Sequence, residues 1–291
     1  MPAAFSGHRG TVSSCPVICL HRPSPEYAAT PENMTQIQTL AERLIAARQR
    51  KQPLAPGDFA ALQVLTRSEA YAVQAAVWQA QKASVRPQAW KIGGSSDQPT
   101  PVRAAMPEIL FTGASTPQAR FRCFGIETEI AVRFGKALPP RATPYAYDEV
   151  LDAIDTAHVA IEIVDTALAD YAAAGPIACL GDSMLHGSFV LGDSIQNWRR
   201  LDWSTLSAHS FIDGQLVAER TGGHPHIDPF TLLPWWASSG ALDWGGVQAG
   251  DIVTTGTWNG MHFAPAPHSF DSHFTDAKGE TLGRASIAFS L

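Results

Sequence analysis

The apolar positions change period once along the chain, and the change divides it. From Thr35 onward, Ile37, Leu40, Ala41, Leu44 and Ile45 recur at the three- and four-residue spacing of a one-faced helix, with Thr35 placed to cap it. Thr66 and Glu69 have capping-box spacing ahead of Ala70, Val73, Ala76 and Val77, which predicts a second amphipathic helix running to Lys82. After Pro87 the texture becomes short apolar runs broken by Gly, Pro, Asp and Ser. Runs at 89–92, 126–134, 159–164 and 188–191 read as strands, and 252–255 and 286–289 as closing strands. Two helices interrupt this part. One covers 147–156 with Val150, Leu151 and Ile154 inward; the other starts at Asp228-Pro229, a capping residue followed by a first-turn proline.

Ahead of the first helix signal, the sequence mixes Pro, Ser, Gly and Ala with little periodicity, and a second methionine, Met34, stands just before the helix. Residues 1–33 are therefore expected to form a disordered tail or to lie upstream of the working start. A weak organellar transit signal, resting on Arg9 and Arg22, is the alternative. The expected division is a tail over 1–33, a helical region over 34–86 and a larger sheet-rich domain over 87–291.

Composition narrows the classes. With 291 residues, 45% of them hydrophobic and 16% charged, the chain can bury a large core. A net charge of -6 without any run of Lys or Arg argues against nucleic acid or an anionic membrane as partner, and requires local positive help for an anionic substrate. Cys15, Cys19, Cys123 and Cys179 have neither zinc-site spacing nor the density of a secreted disulfide scaffold. They read as reduced thiols, and no apolar stretch approaches the ~18 residues of a membrane span. A cytoplasmic location is expected.

The chemistry concentrates in three carboxylates. In Gly125-Ile126-Glu127-Thr128-Glu129-Ile130-Ala131-Val132, period-two geometry puts Glu127 and Glu129 on one face of an apolar strand. Either that face is washed by solvent or a cation sits between the two charges, because unpaired buried carboxylates are costly. Glu162, apolar on both sides in Val159-Ala160-Ile161-Glu162-Ile163-Val164, favours the cation. Three carboxylates with no cysteine nearby are the ligand set of a hard ion, Mg or Mn and less so Ca, whereas zinc takes histidine or thiolate.

The order Trp90-Lys91-Ile92-Gly93, Ile126-Glu127-Thr128-Glu129, Ile161-Glu162-Ile163-Val164-Asp165, Phe189-Val190-Leu191-Gly192 and Gly250-Asp251-Ile252-Val253-Thr254-Thr255-Gly256 resembles the 2-keto-4-pentenoate hydratase family, in the hydratase and decarboxylase branch of the fumarylacetoacetate hydrolase superfamily. The similarity runs from Thr35 to the C-terminus. It implies an α+β fold, a mixed, strongly curved rolled sheet with a small helical N-terminal region, assembled as a homo-oligomer. It also implies Mg2+ or Mn2+ on Glu127, Glu129 and Glu162, and a small 2-oxo acid substrate met in aromatic or related carbon catabolism.

Further positions follow from the same resemblance. Lys91 matches the family's active-site lysine, and a nearby cation is expected to lower its pKa; the plain reading is a surface lysine. Glu108, in Met106-Pro107-Glu108-Ile109-Leu110, lies where relatives place an acidic residue over the substrate, and is otherwise an ordinary loop glutamate. Asp182, Thr255, Gly256 and Thr257 are expected to bind substrate. Two departures mark this chain: Asp182-Ser183-Met184-Leu185 replaces an Asp-Asn-Ala-Ser stretch, and Trp258-Asn259-Gly260-Met261-His262 is an unusual continuation. Both point to a shifted substrate tail. His224 and His226 suggest a second metal site, but a structural role ahead of the next helix is favoured. No Gly-x-Ser-x-Gly elbow, Walker loop or dinucleotide fingerprint is present.

The activity expected first is hydration of a 2-hydroxy-2,4-dienoate to a 4-hydroxy-2-oxo acid. The alternatives are decarboxylation of a 2-oxo-3-enedioate, hydrolytic C–C cleavage of an acylpyruvate, or a catalytically silent protein that binds a metal or a 2-oxo acid.

Overall fold

The computed structural model describes residues 31–82, 85–94 and 100–291. Helices α1 (Pro31–Arg50), α2 (Pro56–Gln63) and α3 (Arg67–Lys82) come first. The strands that follow are β1 (Ala89–Gly93), β2 (Val102–Ala105), β3 (Leu110–Phe111), β4 (Ala114–Pro117), β5 (Gly125–Phe134), β6 (Ile154–Val164), β7 (His186–Ser194), β8 (Ser207–Ile212), β9 (Gln215–Thr221), β10 (Ile252–Thr257), β11 (His262–Phe263), β12 (Ser269–Thr275) and β13 (Thr281–Ser290). Helix α4 (Tyr147–Ala153) precedes β6, α5 (Tyr171–Gly181) precedes β7, and the single turn α6 (Leu233–Trp235) lies ahead of β10.

An eight-stranded mixed sheet has the order β2-β1-β10-β5-β6-β7-β3, with β11 beside β5, and a five-stranded sheet has the order β4-β13-β12-β8-β9. Alternation along β5 explains how they meet. Ile126, Ile130, Val132 and Phe134 share a buried core with Phe270, Phe274 and Ile287 of the second sheet. On that same face the Thr128 hydroxyl lies 2.6 Å from Ser210 Oγ and 2.7 Å from Ser272 Oγ, so the polar atoms buried between the sheets satisfy one another. The opposite face of β5 carries Glu127 and Glu129. Gly192 is required by contact: a Cβ there would fall 2.7 Å from the Val159 carbonyl oxygen and closer still to that of Arg284. The fold expected from the sequence, a strongly curved mixed sheet behind a small helical region, is the one observed.

The helical region has its own core of Leu40, Leu44, Leu62 and Val73, which also takes Leu168, Ala178 and Leu180 from the middle of the chain. The Thr66–Glu69 capping box forms, with the Glu69 carboxylate accepting from Thr66 N at 2.7 Å. Three expectations need correction. Helix α1 begins at Pro31, so Thr35 sits inside it and does not cap it. Helix α4 stops at Ala153, whose carbonyl accepts from Gly135 N and Lys136 N, and Ile154 is buried as the first residue of β6. The segment after Asp228 remains in turns, although Asp228 accepts from Phe230 N at 2.9 Å. A helix running on from Pro229 would place Pro234 in its interior, where it lacks the N–H and clashes with the carbonyl four residues back; helical turns begin instead at Leu233, with Pro234 near their start.

The expected tail falls mostly on residues 1–30, outside the described residues, as do Cys15 and Cys19; Cys123 and Cys179 are free and half-buried. No helix among the described residues is long and apolar enough to cross a membrane.

Candidate active site

Antiparallel pairing sets Glu127 of β5 directly opposite Glu162 of β6, and Glu129 follows one pleat away on the same face. One carboxylate oxygen from each lies within 4.8 Å of the other two, making the one cluster of candidate metal ligands among the described residues. Glu129 and Glu162 are 1% and 0% exposed, and Glu127 is half-buried. Lys91 comes from β1 through the neighbouring strand β10, with Trp90 turned the other way into an aromatic stack with Trp236 and Trp244. The Lys91 ammonium lies 2.5 Å from the Glu162 carboxylate and donates to the Met184 carbonyl at 3.0 Å. Glu162 also faces His186 Nδ1 at 3.0 Å. Glu129 accepts from the Thr254 hydroxyl and, at 3.3 Å, from the Gly256 amide.

Burial and mutual repulsion govern the charges. Burial pushes Glu127 up to about 7, with Lys91 opposing and Glu162 adding to the rise. Burial, then the negative charges of Glu162 and Glu127, push Glu129 up to about 8. Glu162 is lowered, because Lys91 and His186 outweigh its burial. For Lys91, burial is outweighed by the attraction of the three carboxylates, so its pKa is raised. With all groups ionised, three negative charges against one ammonium leave a local charge of minus two, which matches a divalent ion. An all-oxygen trio of this kind fits a hard cation and offers no thiolate or imidazole that would favour zinc.

A cavity of about 230 Å³ opens onto this cluster, lined by Lys91, Glu127, Glu129, Gly93, Gly256 and Thr257, by Ile92, whose side chain belongs to the core with Trp90, and by Val164, Met184, Leu185 and Met261. The other expected site residues are placed differently. Thr255 is buried and gives its hydroxyl to the Ile130 carbonyl at 2.8 Å. Asp182 is buried and lies outside the cavity lining; it accepts from Arg48 at 2.7 Å, Thr166 Oγ1 at 2.6 Å and Ala167 N at 2.9 Å. Glu108 is also outside the lining, in a partly exposed 2.5 Å ion pair with Arg120. Trp258 is fully buried against Trp203, Phe274 and His224. His224 and His226 are structural as favoured, their Nε2 atoms meeting the Thr255 and Gly94 carbonyls at 3.0 and 2.9 Å.

Three groups of the site had no role in the sequence reading: His186 and Thr254, which meet the carboxylates, and the Met184 carbonyl, which holds Lys91. His186 stands at the start of β7 opposite Val164, two residues from Glu162. A histidine opening the strand Phe189-Val190-Leu191 was the available signal.

The family model of the fumarylacetoacetate (FAA) hydrolase C-terminal matches residues 75–285, and the chain belongs to that family. Among solved structures, 4-oxalocrotonate decarboxylase from Pseudomonas putida G7, complexed with magnesium and adipate, is similar at 20% identity and a TM-score of 0.72, over 90% of this chain and 99% of that one. The same decarboxylase complexed with calcium and acetate aligns at 22% identity with the same coverage and TM-score. The 2-hydroxyhepta-2,4-diene-1,7-dioate isomerase from Mycobacterium marinum aligns at 16% identity and a TM-score of 0.51, over 70% of this chain and 75% of that one. At these identities the likeness is one of fold.

Proposed function

We propose that this chain is a divalent-cation-dependent lyase that adds water to a 2-hydroxy-2,4-dienoate, giving a 4-hydroxy-2-oxo acid. The observation that carries the reading is the carboxylate cluster of Glu127, Glu129 and Glu162, with Glu127, Glu129 and Lys91 lining one cavity and Glu162 buried behind them against Lys91. The three carboxylates would hold Mg2+ or Mn2+, which supplies Lewis-acid polarisation of the substrate's carboxylate and 2-oxo oxygens. Lys91 is the one cationic side chain lining the cavity among the described residues. Fixed by Glu162 and the Met184 carbonyl, it draws in and orients the substrate carboxylate. Held protonated by its neighbours, it is also the proposed proton carrier. The dienol gives up its O–H proton as C5 gains one, leaving a 2-oxo-3-enoate; water then adds, with OH at C4 and H at C3. Assembly as a homo-oligomer is part of the proposal.

A second reading, decarboxylation of a 2-oxo-3-enedioate, is supported by the likeness to the P. putida decarboxylase, whose complex holds the dicarboxylate adipate. One experiment separates them. Ultraviolet absorbance of 2-hydroxydienoates, 2-oxo-3-enedioates and acylpyruvates is followed with Mg2+ or Mn2+ and then with chelator, and products are identified by mass. Chelator-sensitive gain of water supports hydration, and loss of carbon dioxide or C–C cleavage replaces it. A thermal shift with oxalate but no turnover leaves only a binding protein.

A further inference from the structure

We infer that this site selects 2-oxo acids whose tails are uncharged and apolar, and that Met184 and Leu185 set that selection; the inference rests on the 2-oxo acid reading of the site. Apart from Gly93, Gly256, Thr257 and Ile92, whose side chain turns into the core, what lines the cavity beyond Lys91 and the two glutamates is aliphatic or thioether: Val164, Met184, Leu185 and Met261. Among the described residues the one lining cation, Lys91, is already engaged by Glu162 and, in the proposed reading, by the substrate's first carboxylate. A second carboxylate on the tail would lose its hydration against apolar walls, with Lys91 and a bound divalent ion already matched by the three glutamates and the first carboxylate.

The two residues are held in place by an unusual backbone. Ser183, Met184 and Leu185 have φ of 53°, 55° and 62°, three successive residues with side chains in the left-handed region. Such a turn persists only where its surroundings over-determine it. Here Leu185 N donates to the Asp182 carbonyl at 3.0 Å, Asp165 N donates to the Leu185 carbonyl at 3.0 Å, and Lys91 holds the Met184 carbonyl. Behind the turn, Arg48 clamps the Asp182 carboxylate. Gly93 makes room for the methionine: a Cβ at that position would lie 3.1 Å from Met184 Cε. The turn thus ties the apolar wall to the lysine that orients the substrate. The Ser-Met-Leu departure from the family stretch supplies both side chains.

The test is calorimetric titration of the full chain, loaded with Mg2+, with 2-oxohexanoate, 2-oxooctanoate and 2-oxoadipate. The first and last have the same chain length, and only the last ends in a carboxylate. We expect 2-oxohexanoate to bind at least tenfold more tightly than 2-oxoadipate. Met184→Ala should improve the affinity for 2-oxooctanoate relative to 2-oxohexanoate several-fold, and Met184→Arg should reduce the discrimination against 2-oxoadipate by at least tenfold. Equal or tighter binding of 2-oxoadipate by the unaltered protein overturns the inference while leaving the 2-oxo acid reading standing. Silence toward all three acids, with Mg2+ itself bound, sinks that reading and the inference with it.

Discussion

Arg48 Nη2 lies 2.7 Å from Asp182 Oδ1, and the same guanidinium donates to the His186 carbonyl at 3.0 Å, so the last turn of α1 grips both ends of the turn that borders the site. Asp182 is 2% exposed, and removing its partner leaves a buried charge. Breaking such a pair from one side costs about 3–5 kcal/mol. Arg48→Ala should therefore lower stability by about 3 kcal/mol in urea denaturation, and Arg48→Ala with Asp182→Ala should cost clearly less than the sum of the two single changes. Additive losses would show that the pair is uncoupled.

Lys91 and the proposed metal ligands oppose one another in sign. If Glu162 is a ligand, Glu162→Gln should weaken Mg2+ binding at least tenfold by calorimetry. Lys91→Met removes the ammonium that competes for the same carboxylate, so Mg2+ should bind as tightly as before or more tightly. Turnover of the preferred substrate should nevertheless fall by about a hundredfold or more, in the range lost with a general acid–base group. A Lys91→Met protein that loses Mg2+ as Glu162→Gln does would mean that the lysine is needed to build the site.

The carboxylate trio was legible because two local rules sufficed: period two puts Glu127 and Glu129 on one face, and apolar neighbours on both sides mark Glu162 as expensive. Lys91 came from the family resemblance, not from a local rule. Thr254 pairs in register with Lys91 and Ala131 on the carboxylate face, so period two alone turns Thr255 toward the Ile130 carbonyl and leaves Thr254 to reach Glu129; the register shifts, in a bulge, only between Thr254 and Thr257. His186 was hidden because its contact with Glu162 depends on the register of β6 with β7, which also shifts, between Ile163 and Val164. Helix α5 was illegible for a local reason: Gly175, at φ 78°, and Pro176 break its pattern, yet it completes the core of the N-terminal helices. Glu108 was placed by analogy with a loop, and its ion pair with Arg120 is a tertiary fact.

Gly256 sits in that bulge with φ 106°, and its amide points at Glu129. Space is not the constraint, because a Cβ there meets nothing nearer than the Ile92 carbonyl oxygen at 3.8 Å. The cost of Gly256→Ala is one of backbone conformation, about 1–3 kcal/mol. Stability in urea should fall by that amount, and Mg2+ affinity should fall with it as the amide leaves Glu129. Unchanged Mg2+ binding in a destabilised protein would free the amide from any part in ordering the ligand.

His224 provides a pH test away from the carboxylates. Its Nε2 must donate to the Thr255 carbonyl at 3.0 Å, which leaves Nδ1 as the acceptor for His226 N–H at 3.3 Å. A second ring proton has no place to go. Burial leads in pulling this imidazole from 6.5 down to about 4, against the favourable Thr255 carbonyl and with help from His226. Since the folded state resists a proton that the unfolded chain accepts, the stabilising term is whole above 6.5 and is lost as pH falls toward 4, by up to roughly 3 kcal/mol. Glu127 and Glu129, raised to about 7 and about 8, act in the opposite direction over much of the same window, so the raw stability curve mixes the two effects. The difference between the unaltered protein and His224→Gln isolates the histidine, because the glutamine amide can still donate to Thr255 and does not titrate. Urea midpoints from pH 8 to pH 4.5 should show His224→Gln less stable or equal at the alkaline end and gaining on the unaltered protein as pH falls. Parallel curves would place the acid sensitivity elsewhere.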